Sequence, residues 1–179
     1  MIIFLLFPLF SLILAKKRAL VIGIDGFNPS LLSNATSNQS FVYLKSIGSS
    51  TFQARTTIQA LSGPGWSSII CSLDPTDTGI LDNEWLPPWE FKANNITPIT
   101  GNVEWFPCVF ENLKRQNGEL KMAFYYDWDW LRYLGNSFMK GGFIDDEVFC
   151  DGSNLNSTLR CDNENVERTL KKIAEVNFT

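Results

Sequence analysis

Three polar residues, Asp25, Ser62 and Asn83, lie where a side chain could take part in chemistry. Asp25 ends a short apolar run and is followed by Gly26, which lets the backbone turn away sharply. A carboxylate at such a point is a hard oxygen ligand for a divalent cation. An Asp-Gly turn that only ends a strand has the same local sequence, so Asp25 alone does not establish a metal site.

Ser62 lies in Leu61-Ser-Gly-Pro-Gly-Trp66, just before a predicted helix. Local sequence favours a simple helix cap. The same position also suits a nucleophile, because a helix N-terminus stabilises an alkoxide and an incoming anion, and a metal ion at the hydroxyl lowers its pKa. Gly63 and Gly65 remove side-chain bulk where a substrate would approach.

Asn83 follows Gly79-Ile-Leu-Asp82 in a predicted loop. Its amide could donate a hydrogen bond to an oxygen that gains charge in a phosphoryl-transfer transition state. A loop asparagine that satisfies its own backbone is the more common arrangement.

Strands alternating with helices predict an α/β fold with a layered, largely parallel sheet. The continuous apolar run Ala19 to Ile24 predicts a strand buried on both faces, and Thr51 to Ile58 predicts a second strand. A short helix is predicted from Pro64, before a turn at Asp74-Pro75. Ligands bind at the carboxyl ends of such strands, which is where Asp25 lies.

Periodic apolar residues and stop signals predict four further elements. The first is a helix around Phe41 to Ile47, and the second is a helix from Pro107 to Gly118 with Phe106, Val109, Phe110 and Leu113 on one face. The third is a strand over Leu120 to Tyr126. The fourth is a helix that is capped at Asp162 or Asn163 and has Val166, Leu170, Ile173 and Ala174 on one face. Leu81 to Gly101 is predicted to be a long irregular connection of the kind that often carries function.

The stretch from Ala19 to Trp85 resembles the type I phosphodiesterase/nucleotide pyrophosphatase branch of the alkaline phosphatase superfamily. Three motifs carry the resemblance in order and spacing: Val-Ile-Gly-Ile-Asp25-Gly-Phe, Ser62-Gly-Pro-Gly-Trp-Ser-Ser-Ile-Ile-Cys and Pro75-Thr-Asp-Thr-Gly-Ile-Leu-Asp-Asn83. Ile99-Thr-Gly101 and Tyr125-Tyr-Asp-Trp-Asp-Trp look similar with weaker signatures. The resemblance implies an alkaline-phosphatase-like layered fold and hydrolysis of phosphodiester or pyrophosphate bonds.

Carried over by position, Asp25 is similar to a ligand of a catalytic ion, Ser62 to the nucleophile that also contacts that ion, and Asn83 to the residue that holds a phosphate oxygen. The resemblance implies two divalent metal ions, zinc by type, and a covalent phospho-serine intermediate. Trp66 stands where sulfatases of the superfamily have arginine, which argues against that branch, and serine stands where this branch more often has threonine.

The family needs further aspartate and histidine ligands, and this sequence of 179 residues has no histidine. We therefore expect an N-terminal portion of a longer catalytic domain, with the fold incomplete and at most a partial metal site in this chain. The alternative is a secreted, catalytically inactive homologue or fragment that acts as a binding protein. A nucleotide-binding α/β domain fits less well, because neither G-x-G-x-x-G nor a P-loop follows the first predicted strand.

Several features predict secretion. Ile2 to Leu14 is mostly apolar and Ala15 is small, which is typical of a signal peptide over residues 1–15, with the catalytic portion over 16–179. The apolar run is too short to span a bilayer. Four cysteines suit an oxidising compartment, and Cys150 and Cys161 bracket a loop and are a candidate disulfide pair. The candidate glycosylation sequons are at Asn34, Asn38, Asn95, Asn156 and Asn177.

The expected partner is a small-molecule phosphate ester, with a nucleotide or a lipid headgroup as the alternatives. The formal net charge of −4 gives no electrostatic reason to expect binding to a nucleic-acid duplex. Trp85, Trp89, Trp105, Trp128 and Trp130 could stack on such a substrate, although core or loop packing is the more common role for each.

Overall fold

A computed structural model describes residues 18–28, 39–87, 108–135 and 142–175. The chain divides into two units, Met1–Phe52 and Gln53–Thr179. The predicted signal peptide, the sequons at Asn34, Asn38, Asn95 and Asn177, and the tryptophans Trp89 and Trp105 lie outside the described residues.

In the unit Met1–Phe52, helix α1 (Gln39–Ile47) confirms the helix predicted around Phe41 to Ile47. The strand predicted over Ala19 to Ile24 is wrong, because these residues have no regular structure and are exposed, with Val21 at 85% and Ile22 at 74%. A strand of this type is stable only between paired neighbours and covering helices. No described residue of this unit forms a strand that could pair with it.

In the unit Gln53–Thr179, the described residues form seven elements in chain order. They are α2 (Ser62–Cys71), α3 (Pro75–Thr78), α4 (Val109–Gln116), β1 (Ala123–Tyr126), a 3-10 helix (Asp129–Leu134), β2 (Asp146–Phe149) and α5 (Leu155–Glu175). The strand predicted over Thr51 to Ile58 is wrong, because its apolar side chains find no covering layer and Ile58 is 95% exposed. The predicted turn at Asp74-Pro75 is the start of α3, where the Asp74 carboxylate accepts a bond from the Thr76 N–H at 3.1 Å.

Strands β1 and β2 pair in parallel, with Ala123 opposite Asp146 and Tyr126 opposite Phe149. Parallel strands need a crossover connection, and here that connection contains the 3-10 helix. The chain is therefore a mixed α/β protein with a parallel sheet, as predicted, and the described part of that sheet has two strands. Strand β2 was not predicted, because a four-residue strand that begins Asp-Glu carries almost no apolar pattern.

The core of this unit lies between α2, the 3-10 helix and the segment after α3. Its fully or nearly fully buried members are Cys71, Ile80, Trp85, Cys108, Tyr126, Trp130, Leu131, Tyr133 and Leu134. A disulfide between Cys71 and Cys108 joins the last residue of α2 to the residue that caps α4. The covalent bond therefore holds α2 in the core at the end opposite Ser62.

Helix α4 is oriented differently from the prediction. Val109 and Leu113 are exposed, whereas Glu111 is only 1% exposed and pairs with Arg115 one turn later. Phe110 packs on Phe124 of β1, with ring centroids 5.2 Å apart. The carboxylate of Glu111 lies in the first helical turn, where the helix dipole favours a negative charge.

Helix α5 begins at Leu155, so the caps predicted at Asp162 or Asn163 are wrong. Asn154 and Ser157 bond reciprocally, each side chain accepting from the other's backbone N–H at 3.0 Å. This exchange satisfies two donors at the helix start. Val166 and Leu170 share a helical face as predicted, but that face is exposed. A disulfide joins Cys150 to Cys161, the pair expected from the loop that they bracket.

Candidate active site

The predicted nucleophile, Ser62, is the first residue of α2 and is half-buried. Leu61 is the N-cap residue, with extended backbone angles and no side-chain cap. The simple capping role considered for Ser62 is therefore wrong, because its own backbone is already helical. Pro64, whose fixed φ suits the first turn, allows the helix to begin here.

Asn83 lies against this same first turn. The backbone N–H of Gly63 donates a hydrogen bond to Asn83 Oδ1 at 2.7 Å. Because the carbonyl oxygen of the side-chain amide faces Gly63, its NH₂ group is directed away from that bond. The structure thus brings Asn83 to the residue next to Ser62, although 20 positions separate Asn83 from Gly63 in the chain.

The backbone donors of this turn are largely used within the protein. The N–H of Gly63 bonds Asn83, the N–H of Gly65 donates to the Leu61 carbonyl at 3.0 Å, and Pro64 has no N–H. A free helix N-terminus offers these groups to an anion. Here, the side-chain oxygen of Asn83 accepts the hydrogen bond that the Gly63 N–H could otherwise donate to an anion.

Close packing requires glycine at position 63, and the substrate access expected from the sequence stays a prediction. A Cβ atom at this position would lie 2.9 Å from the Asp82 carbonyl oxygen, 3.3 Å from Asn83 Oδ1 and 3.3 Å from Trp130 Cζ2. Gly65 differs, since a Cβ there would meet only Thr56 Oγ1, at 3.5 Å. The absence of a side chain at Gly63 allows the segment that carries Asn83 to approach α2.

Core contacts on both sides fix the segment that carries Asn83. Before it, Ile80 is fully buried and its N–H donates to Thr78 Oγ1 at 3.2 Å. After it, the carbonyl of Trp85 accepts a bond from Trp130 Nε1 at 2.9 Å. Trp85 and Trp130 are buried core residues, as their packing role predicted, and Trp128 is half-buried and stacked on Trp130. The role of Trp130 beside Gly63 was missed because no local pattern signals it.

Asp25 belongs to the other unit, Met1–Phe52. It lies in an exposed turn in which Gly26 has a φ of 63° and its N–H donates to Asp25 Oδ1 at 2.9 Å. A left-handed φ favours glycine, so the predicted Asp-Gly turn is confirmed. Its role as a metal ligand stays a prediction.

A complete site for a divalent ion is not found among the residues that the structure describes. Within the described part of the chain, no three Cys, Asp or Glu side chains are grouped so that they could hold a metal. The sequence supplies no imidazole either. Asp25 and Ser62 each offer an oxygen of the kind that such ions accept as a ligand.

Asn156 is the one candidate glycosylation site that lies among the described residues, and it is exposed in the first turn of α5. Among the helices that the structure describes, none has the length and apolar character needed to cross a bilayer.

Comparison with known proteins identifies one family. The model for the type I phosphodiesterase / nucleotide pyrophosphatase family matches residues 19–172, which include Asp25, Ser62 and Asn83. No curated protein and no solved structure gives a significant match. The matched stretch covers most of the sequence, and the first turn of α2 and the Asn83 segment both lie within it. The chain therefore belongs to the type I phosphodiesterase / nucleotide pyrophosphatase family.

Proposed function

We propose that this protein hydrolyses phosphodiester or pyrophosphate bonds through a covalent phospho-serine intermediate on Ser62, with dependence on divalent metal ions. The supporting observation is the hydrogen bond from Gly63 to Asn83, which holds a directed amide beside the residue that begins α2. Membership of a phosphodiesterase and pyrophosphatase family gives the reaction class.

In the first step, Ser62 Oγ forms a bond to phosphorus and the bond from phosphorus to the leaving oxygen breaks. The hydroxyl loses its proton and the leaving oxygen gains one. In the second step, water attacks the same phosphorus, the bond to Oγ breaks, and Ser62 recovers its proton. The nucleophile lies at a helix N-terminus, where the helix dipole favours the alkoxide.

Asn83 stabilises the charge that develops on the phosphoryl oxygens. Its carbonyl oxygen is held by Gly63, so its NH₂ group is oriented before the substrate arrives. A donor fixed in advance costs no reorganisation during the reaction, and removal of one such donor lowers kcat by about 100- to 1,000-fold.

The proposed metal dependence rests on the family and on Asp25. A bound divalent ion, zinc by type, supplies the positive charge that lowers the pKa of a hydroxyl or a water molecule. Asp25 and Ser62 are the proposed ligands from this chain. Because the sequence contains no histidine, we propose that a complete two-metal site draws its other ligands from outside these 179 residues.

We further propose that the protein is secreted, with residues 1–15 as its signal peptide and 16–179 as the catalytic portion. The two disulfides are of the kind that persists in oxidising compartments. Asn156 is exposed, as a glycosylated asparagine has to be. The substrate is a small-molecule phosphate ester, either a nucleotide or a lipid headgroup.

Hydrolysis of bis(p-nitrophenyl) phosphate with added Zn²⁺ tests this function, in protein that also contains the segment or partner supplying the remaining metal ligands. Turnover is expected to require Ser62: Ser62→Ala abolishes it, and Ser62→Thr retains it because either hydroxyl can attack phosphorus. Ser72→Ala, at the exposed opposite end of α2, is the matched control and keeps full turnover. Mass spectrometry of acid-quenched protein should find the phosphoryl group on Ser62.

The absence of histidine also favours a second candidate, a secreted homologue that binds phosphate esters without hydrolysing them. If the wild-type protein binds the ester but shows neither zinc-dependent turnover nor a modified Ser62, this candidate replaces the hydrolase. Calorimetric titration with the same ester measures binding, and the turnover and mass-spectrometry results then distinguish the two candidates.

A further inference from the structure

We propose that Trp130 is the positioning residue that holds Asn83 against the first turn of α2. The proposal rests on the function assigned above to Ser62 and Asn83, and it concerns a residue outside both of their motifs. In this proposal Trp130 acts only through Ser62 and Asn83. It acts on the distance and direction between them.

The indole ring of Trp130 lies against Gly63. Its Cζ2 atom is 3.3 Å from the point where a Cβ of residue 63 would be, so the ring edge fills the space beside the backbone that donates to Asn83. Any larger distance between the ring and α2 would leave a gap beside this donor, and gaps in a packed core are unfavourable.

The same ring holds the segment that carries Asn83. Trp130 Nε1 donates to the Trp85 carbonyl at 2.9 Å, two residues beyond Asn83. One side chain thus contacts α2 through its benzo ring and the Asn83 segment through its N–H. It sets the spacing between the two parts of the site.

The ring itself has little freedom to move. Trp130 is only 6% exposed and forms edge contacts with Trp85 and Tyr133, with ring centroids 6.1 Å and 6.2 Å away. Trp128 stacks on it, with centroids 5.0 Å apart. Because its neighbours enclose the ring, the ring keeps a fixed position against Gly63 and the Trp85 carbonyl, and this restrains the segment that carries Asn83.

Hydrogen exchange of the Gly63 amide, followed by NMR, tests the proposal without depending on turnover. In Trp130→Phe the Trp85 carbonyl loses its donor, so the Gly63 amide is expected to exchange about tenfold faster. The amides of Gly65 and Cys150, which donate to Leu61 and Tyr126, serve as internal references and should change much less. Tyr125→Phe, which removes a different aromatic donor, the one that bonds Asp146 at 2.8 Å, is the control and should leave the Gly63 amide unchanged.

An Asn83→Ala background completes the cycle. There, the Gly63 amide already lacks its acceptor, so Trp130→Phe should add nothing to its exchange rate. An equal increase at Gly63, Gly65 and Cys150 would show a general structural role and overturn the proposal. The proposal would also be overturned if Trp130→Phe left the exchange rate of the Gly63 amide unchanged, or if it raised that rate equally in the Asn83→Ala background.

The two proposals fail separately. Turnover that survives Ser62→Ala would remove the hydrolytic role while leaving the exchange result intact. If Ser62 is required, Trp130→Phe should lower kcat and kcat/KM by the same factor, because Asn83 acts in the transition state. A rise in KM alone would contradict positioning through Asn83.

Discussion

The N–H of Gly63 donates to Asn83 Oδ1 at 2.7 Å, and this bond joins residues of two motifs that are 20 positions apart in the chain. It has two consequences for the site. It occupies one of the few free donors in the first turn of α2, and it fixes which end of the Asn83 amide faces outward. In the proposed function, a phosphate oxygen near Ser62 meets this side-chain NH₂ group in place of the backbone N–H of Gly63.

The close approach at Gly63 predicts a sharp difference between two glycines of one helix. Gly63→Ala should lower the free energy of unfolding by about 1–3 kcal/mol, since the Asp82 carbonyl and the Trp130 ring have to move. Gly65→Ala should be neutral or stabilise by up to about 1 kcal/mol, because alanine favours a helix and the nearest atom is 3.5 Å away. Urea unfolding measures both, and equal losses would contradict the packing described here.

Local sequence was sufficient to predict parts of this structure. Pro64 within a Gly-Pro-Gly run indicated α2, and Asp25-Gly26 indicated a sharp turn, in which the structure gives Gly26 a left-handed φ. Both depend on the backbone preferences of one or two residues. The helix starts at Asn154 and Asp74 also depend on bonds between near neighbours, but neither was predicted as a helix start, because the caps were expected at Asp162 or Asn163 and Asp74-Pro75 was expected to be a turn.

Longer-range features could not be predicted in this way. The apolar runs at Ala19 to Ile24 and Thr51 to Ile58 have strand patterns, but a strand needs a paired neighbour, and β1 pairs instead with the polar segment Asp146–Phe149. The acceptor role of Asn83 and the bond from Trp130 to Trp85, 45 positions apart, likewise depend on tertiary packing. Family resemblance placed Ser62 and Asn83 in one site, whereas the residue that spaces them emerged only from the structure.

The two disulfides should contribute unequally to stability. The Cys71–Cys108 bridge closes a separation of 37 residues and the Cys150–Cys161 bridge one of 11. By chain entropy alone, replacing both cysteines of a bridge with alanine should cost about 4 kcal/mol for the first and about 3 kcal/mol for the second. Denaturant unfolding of the two double variants measures the difference. A larger loss for the shorter bridge would indicate that native contacts outweigh chain entropy.

The carboxyl group of Asp145 is expected to make part of the free energy of unfolding sensitive to acid. Its hydrogen bond to Lys121, with further bonds to the Met122 N–H and to Lys114, lowers the pKa of its carboxyl to about 2. Since the folded pKa is below the unfolded value, this stabilisation is present above about pH 4 and is lost as the pH falls towards 2. Asp145→Asn should remove about 1 kcal/mol at neutral pH, after allowance for solvent screening, and flatten stability between pH 4 and 2. If Asp145→Asn showed the same pH dependence of thermal unfolding as the wild-type protein, Asp145 would not be a source of the acid sensitivity.

The start of α5 gives a test with a near neighbour as its control. Asn154→Ala should destabilise the protein by about 1 kcal/mol, because it removes one half of the reciprocal bonds with Ser157. Asn156→Ala, at an exposed position two residues later, should change stability by no more than about 0.5 kcal/mol. Thermal unfolding of unglycosylated protein from a bacterial host measures both variants, and equal effects would place the helix start elsewhere.

Replacement of Asn83 by aspartate separates the two functions of its amide. Asn83→Asp keeps an oxygen that can accept from the Gly63 N–H but replaces the outward NH₂ donor with a second oxygen. Turnover of bis(p-nitrophenyl) phosphate should fall by about 100-fold or more, while the Gly63 amide stays protected from exchange.

Asn83→Ala is the matched variant, since it removes the acceptor and the donor together. It should lose both turnover and Gly63 protection. If Asn83→Asp retained wild-type turnover, the outward group could not be acting as a donor to phosphate. Asn83 would then only bind the first turn of α2, and the charge on the phosphoryl oxygens would have to be stabilised by other groups.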